Sequence, residues 1–215
     1  MPSTVVALRT DQCHAAGDVV ARSFADNAIF CAIFPNAARR HRILRSAAPG
    51  MLIHGLLSGQ VAEATPRLTA VSLWTPPGYR DSVTSWVRAL PHLLGCIARL
   101  TPADARRYLR CISVSTKRRQ EMLPEPHWYL EMLCSEPRWQ GYGLGAVLAL
   151  HGLERAAREG KPVFLETDTP ENVRFYSKMG FKIVEAGDED LYHIPIWRMV
   201  CRPEDAIVPK RGPAP

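Results

Sequence analysis

Gln140-Gly141-Tyr142-Gly143-Leu144-Gly145 (QGYGLG) lies between an apolar run, His127 to Cys134 (HWYLEMLC), and a segment of helical spacing, Ala146 to Glu159 (AVLALHGLERAARE). Closely spaced aromatic and long apolar residues predict a strand in the first, and an apolar period near that of an α-helix predicts a helix in the second. Strand, glycine turn and helix N-terminus therefore follow in order. Glycine reaches positive φ at little cost and has no Cβ to hold a ligand away from the backbone. The first turn of the helix adds N–H groups without intrahelical partners and a positive partial charge of about half a unit, so the turn reads as a phosphate cradle that needs no lysine.

The glycines alone also admit a tight turn without a ligand, or a dinucleotide fold. The latter draws on Glu166, about 20 residues beyond the glycines at the end of the next apolar run. Its spacing is wrong: a dinucleotide fingerprint is G-x-G-x-x-G directly after a strand, whereas here the order is G-x-G-x-G and Ser135 to Gln140 intervene. A Walker loop is excluded, because no Lys-Ser or Lys-Thr follows the glycines.

The next segment decides between these readings. Asn172-Val173-Arg174-Phe175-Tyr176-Ser177-Lys178-Met179-Gly180-Phe181 has the form N-x-x-F-Y-x-x-x-G-F and follows a strand-like run, Val163 to Glu166. Together with Q-x-x-G-x-G it resembles the GCN5-related N-acetyltransferases (GNAT), which move an acetyl group from acetyl-CoA to an amine. Val71-Ser72-Leu73-Trp74-Thr75-Pro76-Pro77, Glu125-Pro126-His127-Trp128-Tyr129-Leu130 and Pro162-Val163-Phe164-Leu165-Glu166-Thr167 resemble the puromycin N-acetyltransferase type of that family. The resemblance is good from about Glu125 to Cys201 and thin upstream. It implies an α/β fold in which a mixed, mostly antiparallel central sheet is flanked by helices and splays where acetyl-CoA enters.

The resemblance also implies site residues. The backbone of Met132, Leu133 and Cys134 would pair with the pantetheine arm, and Gln140, Gly141, Tyr142, Gly143, Leu144 and Gly145 would hold the pyrophosphate. Tyr176 would protonate the departing CoA thiolate, a role suited to a phenol that stays protonated near neutral pH. Asn172 would begin the following helix, as its N-cap or as a hydrogen-bond partner of the CoA arm.

For the base that deprotonates the amine there are two candidates. Strand alternation places Glu131 on one face with His127, Tyr129 and Leu133, opposite Trp128, Leu130 and Met132, and makes it the better one. Glu166 is the rival, with a capping or loop hydrogen bond as its alternative role. A carboxylate of ordinary pKa is a poor base for an ammonium, so burial or a relaying water is required. Cys134 reads as a small apolar thiol in a buried strand rather than a nucleophile, which favours direct transfer. His127 and His151 lack the G-x-S-x-G context of a hydrolase.

Composition narrows the classes further. The chain has 215 residues, 47% of them hydrophobic, enough for one domain with a substantial core. A net charge of +6 suits an anionic cofactor. Its densest basic patches, Arg106-Arg107 and Lys117-Arg118-Arg119, have no interleaved aromatics, so a nucleic-acid groove is not expected. Six scattered cysteines without a C-x-x-C pair point to free thiols and no metal. With no signal-peptide pattern and no membrane-length apolar run, a soluble cytoplasmic protein is expected.

Along the chain, strands are expected at Val5–Arg9, Leu68–Trp74, Phe181–Glu185 and Ile194–Cys201, and a helix at Asp11–Phe24. Arg39–Leu57 reads as one helix or two meeting near Pro49-Gly50. Ser82–Leu100 and Pro102–Arg118 form a helical insert, within 79–120, that would wall the acceptor pocket. The expected organisation is a single domain over 1–202 with a flexible tail over 203–215. The function expected is acetyl transfer to the amine of a small molecule of antibiotic, xenobiotic or secondary-metabolite type; a protein acceptor, or a non-catalytic acyl-CoA-binding module, is the alternative.

Overall fold

The computed structural model describes residues 4–188 and 193–207. Strand β1 (Val6–Ala7) leads through a 3-10 turn (Thr10–Gln12) into helix α1 (Cys13–Ser23). A short helix α2 (Ala28–Ile33) follows, unforeseen in the sequence; the Asn27 side chain caps it by accepting from the N–H groups of Ile29 and Phe30. Helix α3 (Ala37–Ser58) runs unbroken through Pro49. A proline inside a helix removes one hydrogen bond and crowds the preceding turn. Here its ring packs on α1 at Gly17, where an added Cβ would lie 2.7 Å from the ring, so close packing on α1 carries the helix past the break. Gly59, at φ 91°, then closes α3 in the left-handed conformation.

Strand β2 (Val61–Ala64), also unforeseen, pairs with β3 (Ala70–Thr75). The insert forms α4 (Val83–Ile97), capped by Ser82, and α5 (Pro102–Met122), whose capping box joins Thr101 and Asp104. Strand β4 (Trp128–Ser135), a 3-10 turn (Pro137–Trp139), α6 (Leu144–Arg158), β5 (Val163–Thr167), α7 (Pro170–Ser177), β6 (Lys182–Asp188) and β7 (Pro195–Cys201) complete the order. Of the expected tail, Ile207 donates to the Met179 carbonyl and Asp205 packs over Gly180, while 208–215 lie outside the described residues.

The strands form one seven-stranded sheet in the order β1-β2-β3-β4-β5-β7-β6. Every pairing is antiparallel except β4 with β5. That parallel pair holds only at Trp128↔Val163 and Tyr129↔Phe164, after which the strands part. The expected mixed, mostly antiparallel and splayed sheet is what the chain adopts.

On its other edge β4 carries a bulge. Leu73 faces Met132 and Trp74 faces Leu130, which leaves Glu131 without a partner on β3. An extra residue shifts the strand's alternation. Trp128 and Leu130 consequently pack on the α6 side with Trp74, whereas Met132 and Cys134 pack on the α1 side with Val71 and Leu73. Leu133 joins the α6 cluster, so it does not share a face with Glu131 as strict alternation predicted. The two clusters sandwich the sheet and fix β4 between them.

Candidate active site

The parting of β4 and β5 opens a cavity of about 460 Å3. Glu131, Glu166, Asn172 and Tyr176 all face it, with Met132 and Leu133, so β4, the end of β5 and the N-x-x-F-Y segment converge on one space. Cys134 and the glycine loop lie outside its lining.

Gly141 and Gly143 take φ 83° and 78°, the left-handed region in which a side chain is strained, and an added Cβ at either would meet nothing within 4 Å. Gly145 has ordinary backbone and needs only modest room. The N–H of Gln140 bonds to Pro137 and that of Val147 to Gly143. The six amides between them, Gly141 to Ala146, find no acceptor among the described residues. Unpartnered N–H groups around a helix start, in open space, fit a pyrophosphate.

At Glu131 the bulge turns the side chain toward the cavity. One of its carboxylate oxygens accepts from the Thr75 hydroxyl at 3.0 Å and from the Gln60 amide, and that amide also reaches Thr75 Oγ1 at 2.7 Å. Gln60 owes its position to β2, the strand missed in the sequence, so this support was not legible there. Glu166 is bound differently. Its Oε1 accepts from Arg198 Nε at 2.7 Å and its other oxygen from the Ser115 hydroxyl. Arg198 also bonds Glu185, so Glu166 belongs to an ionic cluster linking β5, β6 and β7 rather than to a cap or loop.

Tyr176 is 8% exposed, and burial first, then Cys134 and Asp168, pushes its phenol above the usual range. No hydrogen bond joins its hydroxyl to the described residues, and the residue lines the cavity. Asn172 is not the cap of α7: Thr169 is, accepting from the Asn172 N–H at 3.2 Å, and this leaves the Asn172 side chain toward the cavity. Burial pushes the Cys134 thiol up to about 12, which keeps it protonated and inert. His127 sits against the Glu125 carbonyl at 2.7 Å and His151 against Glu63 at 3.0 Å; neither meets Asp168 or Ser135.

One feature went unforeseen. Asp168, its carboxyl raised by burial, faces the cavity and accepts from Asn27 Nδ2 at 2.6 Å, which ties α2 to the end of β5. On α5, Tyr108, Cys111, Ile112, Ser115, Thr116 and Arg119 all face the cavity. Their spacing of three and four residues is one helical face, so the insert walls the site along nearly its whole length. Arg119 lies 4.2 Å over the Tyr129 ring and pins the far end. Arg39 bonds Asp104 and pins the near end. No cluster of three His, Cys, Asp or Glu suited to a metal occurs among the described residues.

The family model for the acetyltransferase (GNAT) family matches residues 66–181, from the start of the β3 hairpin through the motif that ends at Phe181. The chain belongs to the GNAT family. Its fold matches that of solved relatives. A Corynebacterium glutamicum protein described as histone acetyltransferase HPA2 and related acetyltransferase is 18% identical with a TM-score of 0.68, over 98% of this chain and 100% of that one. Arylalkylamine N-acetyltransferase 2 of Aedes aegypti is 12% identical with a TM-score of 0.58, over 93% and 98%. The ribosomal-protein-S18-alanine N-acetyltransferase of Escherichia coli is 12% identical with a TM-score of 0.50, over 97% of each chain. GNAT proteins are acetyltransferases that bind acetyl-CoA and an acceptor, and both the glycine loop and the splayed strands of this chain fit that cosubstrate.

Among the described residues no helix is long and apolar enough to cross a membrane. All six cysteines are free thiols.

Proposed function

We propose that this GNAT protein transfers an acetyl group from acetyl-CoA directly to the primary amine of a small molecule. The observation that carries the reading is the size and lining of the cavity. A cavity of about 460 Å3 lies beneath α5, within the roughly 300–1,000 Å3 typical of small-molecule sites. Phe24, Phe30, Ile33, Tyr108 and Ile112 give it an apolar and aromatic interior, with carboxylates at Glu131, Glu166 and Asp168. Such a lining suits a cation carried on an apolar or aromatic body, the chemistry of an aminated antibiotic, xenobiotic or secondary metabolite. The arylalkylamine enzyme of Aedes aegypti, by its name, takes acceptors of that kind.

Acetyl-CoA supplies a thioester carbonyl and a thiolate leaving group. Glu131, held by Gln60 and Thr75, takes the proton from the ammonium, directly or through one water. The parted edge of β4, at Met132 to Cys134, offers backbone groups to the pantetheine arm, and an N–H there polarises the carbonyl. Glu166, paired with Arg198, positions the end of β5 and adds negative potential that favours a cationic acceptor. Tyr176 returns a proton to the departing sulfur. Cys134 forms no acyl intermediate, as its thiol stays protonated.

The test is to incubate the purified protein with acetyl-CoA and a panel of amines: puromycin-like aminonucleosides, other aminated antibiotics, arylalkylamines and short peptides. Free CoA thiol is followed. Turnover with small amines and none with peptides is expected. Turnover with peptides alone would make the acceptor a protein, and acetyl-CoA binding without turnover across the panel would make the chain a binding module.

A further inference from the structure

Helix α4 turns its apolar side outward. Val83, Trp86, Val87, Leu90, Leu94 and Ile97 are 80, 47, 63, 45, 55 and 50% exposed. At about 100° per residue they fall within a strip roughly 100° wide. The helix packs on α3 through a different face, on which Ser85, Ala89 and Cys96 are buried. An unbroken apolar strip on one exposed helix is not accounted for by scattered surface hydrophobics.

We propose that this strip is a homodimer interface, in which α4 packs antiparallel on α4 of a second copy about a two-fold axis at Leu90. Three observations choose a second copy over other occupants. First, the spacing Val83, Trp86, Leu90, Leu94, Ile97 runs by three and four residues, as does the seam of paired helices, and is symmetric about Leu90. Reversed about Leu90 it meets itself: Val83 faces Ile97, Trp86 faces Leu94, and Leu90 faces Leu90. A two-fold interface requires that self-complementarity.

Second, the area suffices. At about 60–120 Å2 for a fully buried aliphatic side chain and about 150–250 Å2 for a tryptophan, the exposed fractions leave roughly 250–450 Å2 of apolar surface per copy. A standard interface of about 800 Å2 per partner holds roughly 450–520 Å2 of non-polar area, so the strip supplies about half of it or more. Third, the charges are placed for it. The helix has no acidic residue, and its one charged residue, Arg88, lies on the side away from the strip, as does Arg99 just beyond its end. Two strips therefore meet without charge repulsion. An anionic membrane would instead be served by basic residues flanking the apolar strip.

Sedimentation velocity of the full chain, from roughly 1 to 100 µM, spans the Kd of a moderate homodimer. A species of twice 24.0 kDa is expected at the upper end. Leu90→Glu puts like charges opposite each other at the axis and should raise the dimer Kd by roughly tenfold or more. Arg88→Glu, on the far side, should not, and circular dichroism melting verifies that each variant folds. Val83→Glu and Ile97→Lys should each weaken the dimer, and the double variant should recover it, because antiparallel packing sets the two positions against each other twice. The proposal is overturned by a monomer at every concentration, by a dimer indifferent to Leu90→Glu, or by a double variant no better than the singles. It is overturned equally if the monomeric chain binds phosphatidylserine vesicles and Leu90→Glu abolishes that binding.

Discussion

Replacing Tyr176 with phenylalanine removes one oxygen, and the structure assigns opposite expectations to stability and to rate. The ring stays packed edge-on against Phe175 and Phe181, at centroid distances of 5.0 and 5.6 Å. The lost hydroxyl has no hydrogen-bond partner among the described residues and opens on the cavity. No internal bond is broken and no group is orphaned, so stability should change by less than about 0.5 kcal/mol, a Tm shift within about 2 °C. Catalysis should fall much further. General-acid assistance is worth about 10²–10⁴ in rate, or about 3–5 kcal/mol of barrier. A thiolate leaving group with a pKa near 8.5 needs that proton less as pH rises. The deficit of Tyr176→Phe should therefore be largest near pH 7 and shrink above pH 9, with binding of acetyl-CoA unchanged. The assay is kcat by CoA release across this range, with calorimetric Tm and CoA titration in parallel. A kcat within about twofold of the parent enzyme at pH 7 would refute the donor assignment. A fall in kcat accompanied by a Tm drop of more than about 5 °C would show that the residue acts through packing.

Glu131→Gln should lower kcat/KM by about 10²–10⁴ near neutral pH, with the loss narrowing toward pH 10 as an alkylamine of ordinary pKa deprotonates unaided; an unchanged pH–rate profile would remove Glu131 from the base role. Gly143→Ala places a Cβ on a residue at φ 78°, costing about 1–2 kcal/mol, and a methyl group in the cradle should raise the KM for acetyl-CoA more than it lowers kcat, read from initial rates. Asp104 is 2% exposed, and the Arg39 guanidinium, with Thr101, holds its carboxyl down at about 2 from an ordinary 3.8. A depressed carboxyl stabilises the fold above its unfolded pKa, so about 2 kcal/mol is present at neutral pH and is lost as pH falls from about 4 to about 2. Urea midpoints measured against pH should show that loss, and Asp104→Asn should flatten it.

The sequence is most informative where a local pattern suffices. The glycine turn, β4, α6 and β5 stand within a residue or two of their expected bounds, because each is set by its own periodicity and punctuation. Non-local features were hidden. The bulge at Glu131 exists only in the register between β3 and β4, so alternation along β4 alone put Leu133 on the wrong face. The pairing of Glu166 with Arg198 depends on β7 lying beside β5, which the order of residues does not declare. Strand β2 is four residues of VAEA without an aromatic, and it is recognisable only by its neighbour. The N-cap of α7 is Thr169 rather than Asn172 because Pro170 fits the first helical turn, a local signal that the family motif overshadowed.

Helix α5 is 21 residues long yet buries only Asp104; Arg39 and Arg119 hold its ends, Tyr108 and Cys111 pack beside Ile33 and Phe34, Ser115 bonds Glu166, and the rest of the inner face borders the cavity. The inner positions without those contacts, Ile112 and Thr116, can therefore vary with little cost to the stability of the sheet. A library randomised at Ile112 and Thr116 should retain a high share of folded members, and under the proposed function the choice of acceptor should shift with these positions while the CoA half of the protein stays as it is. The separation makes the protein a suitable scaffold for directed evolution toward new amines.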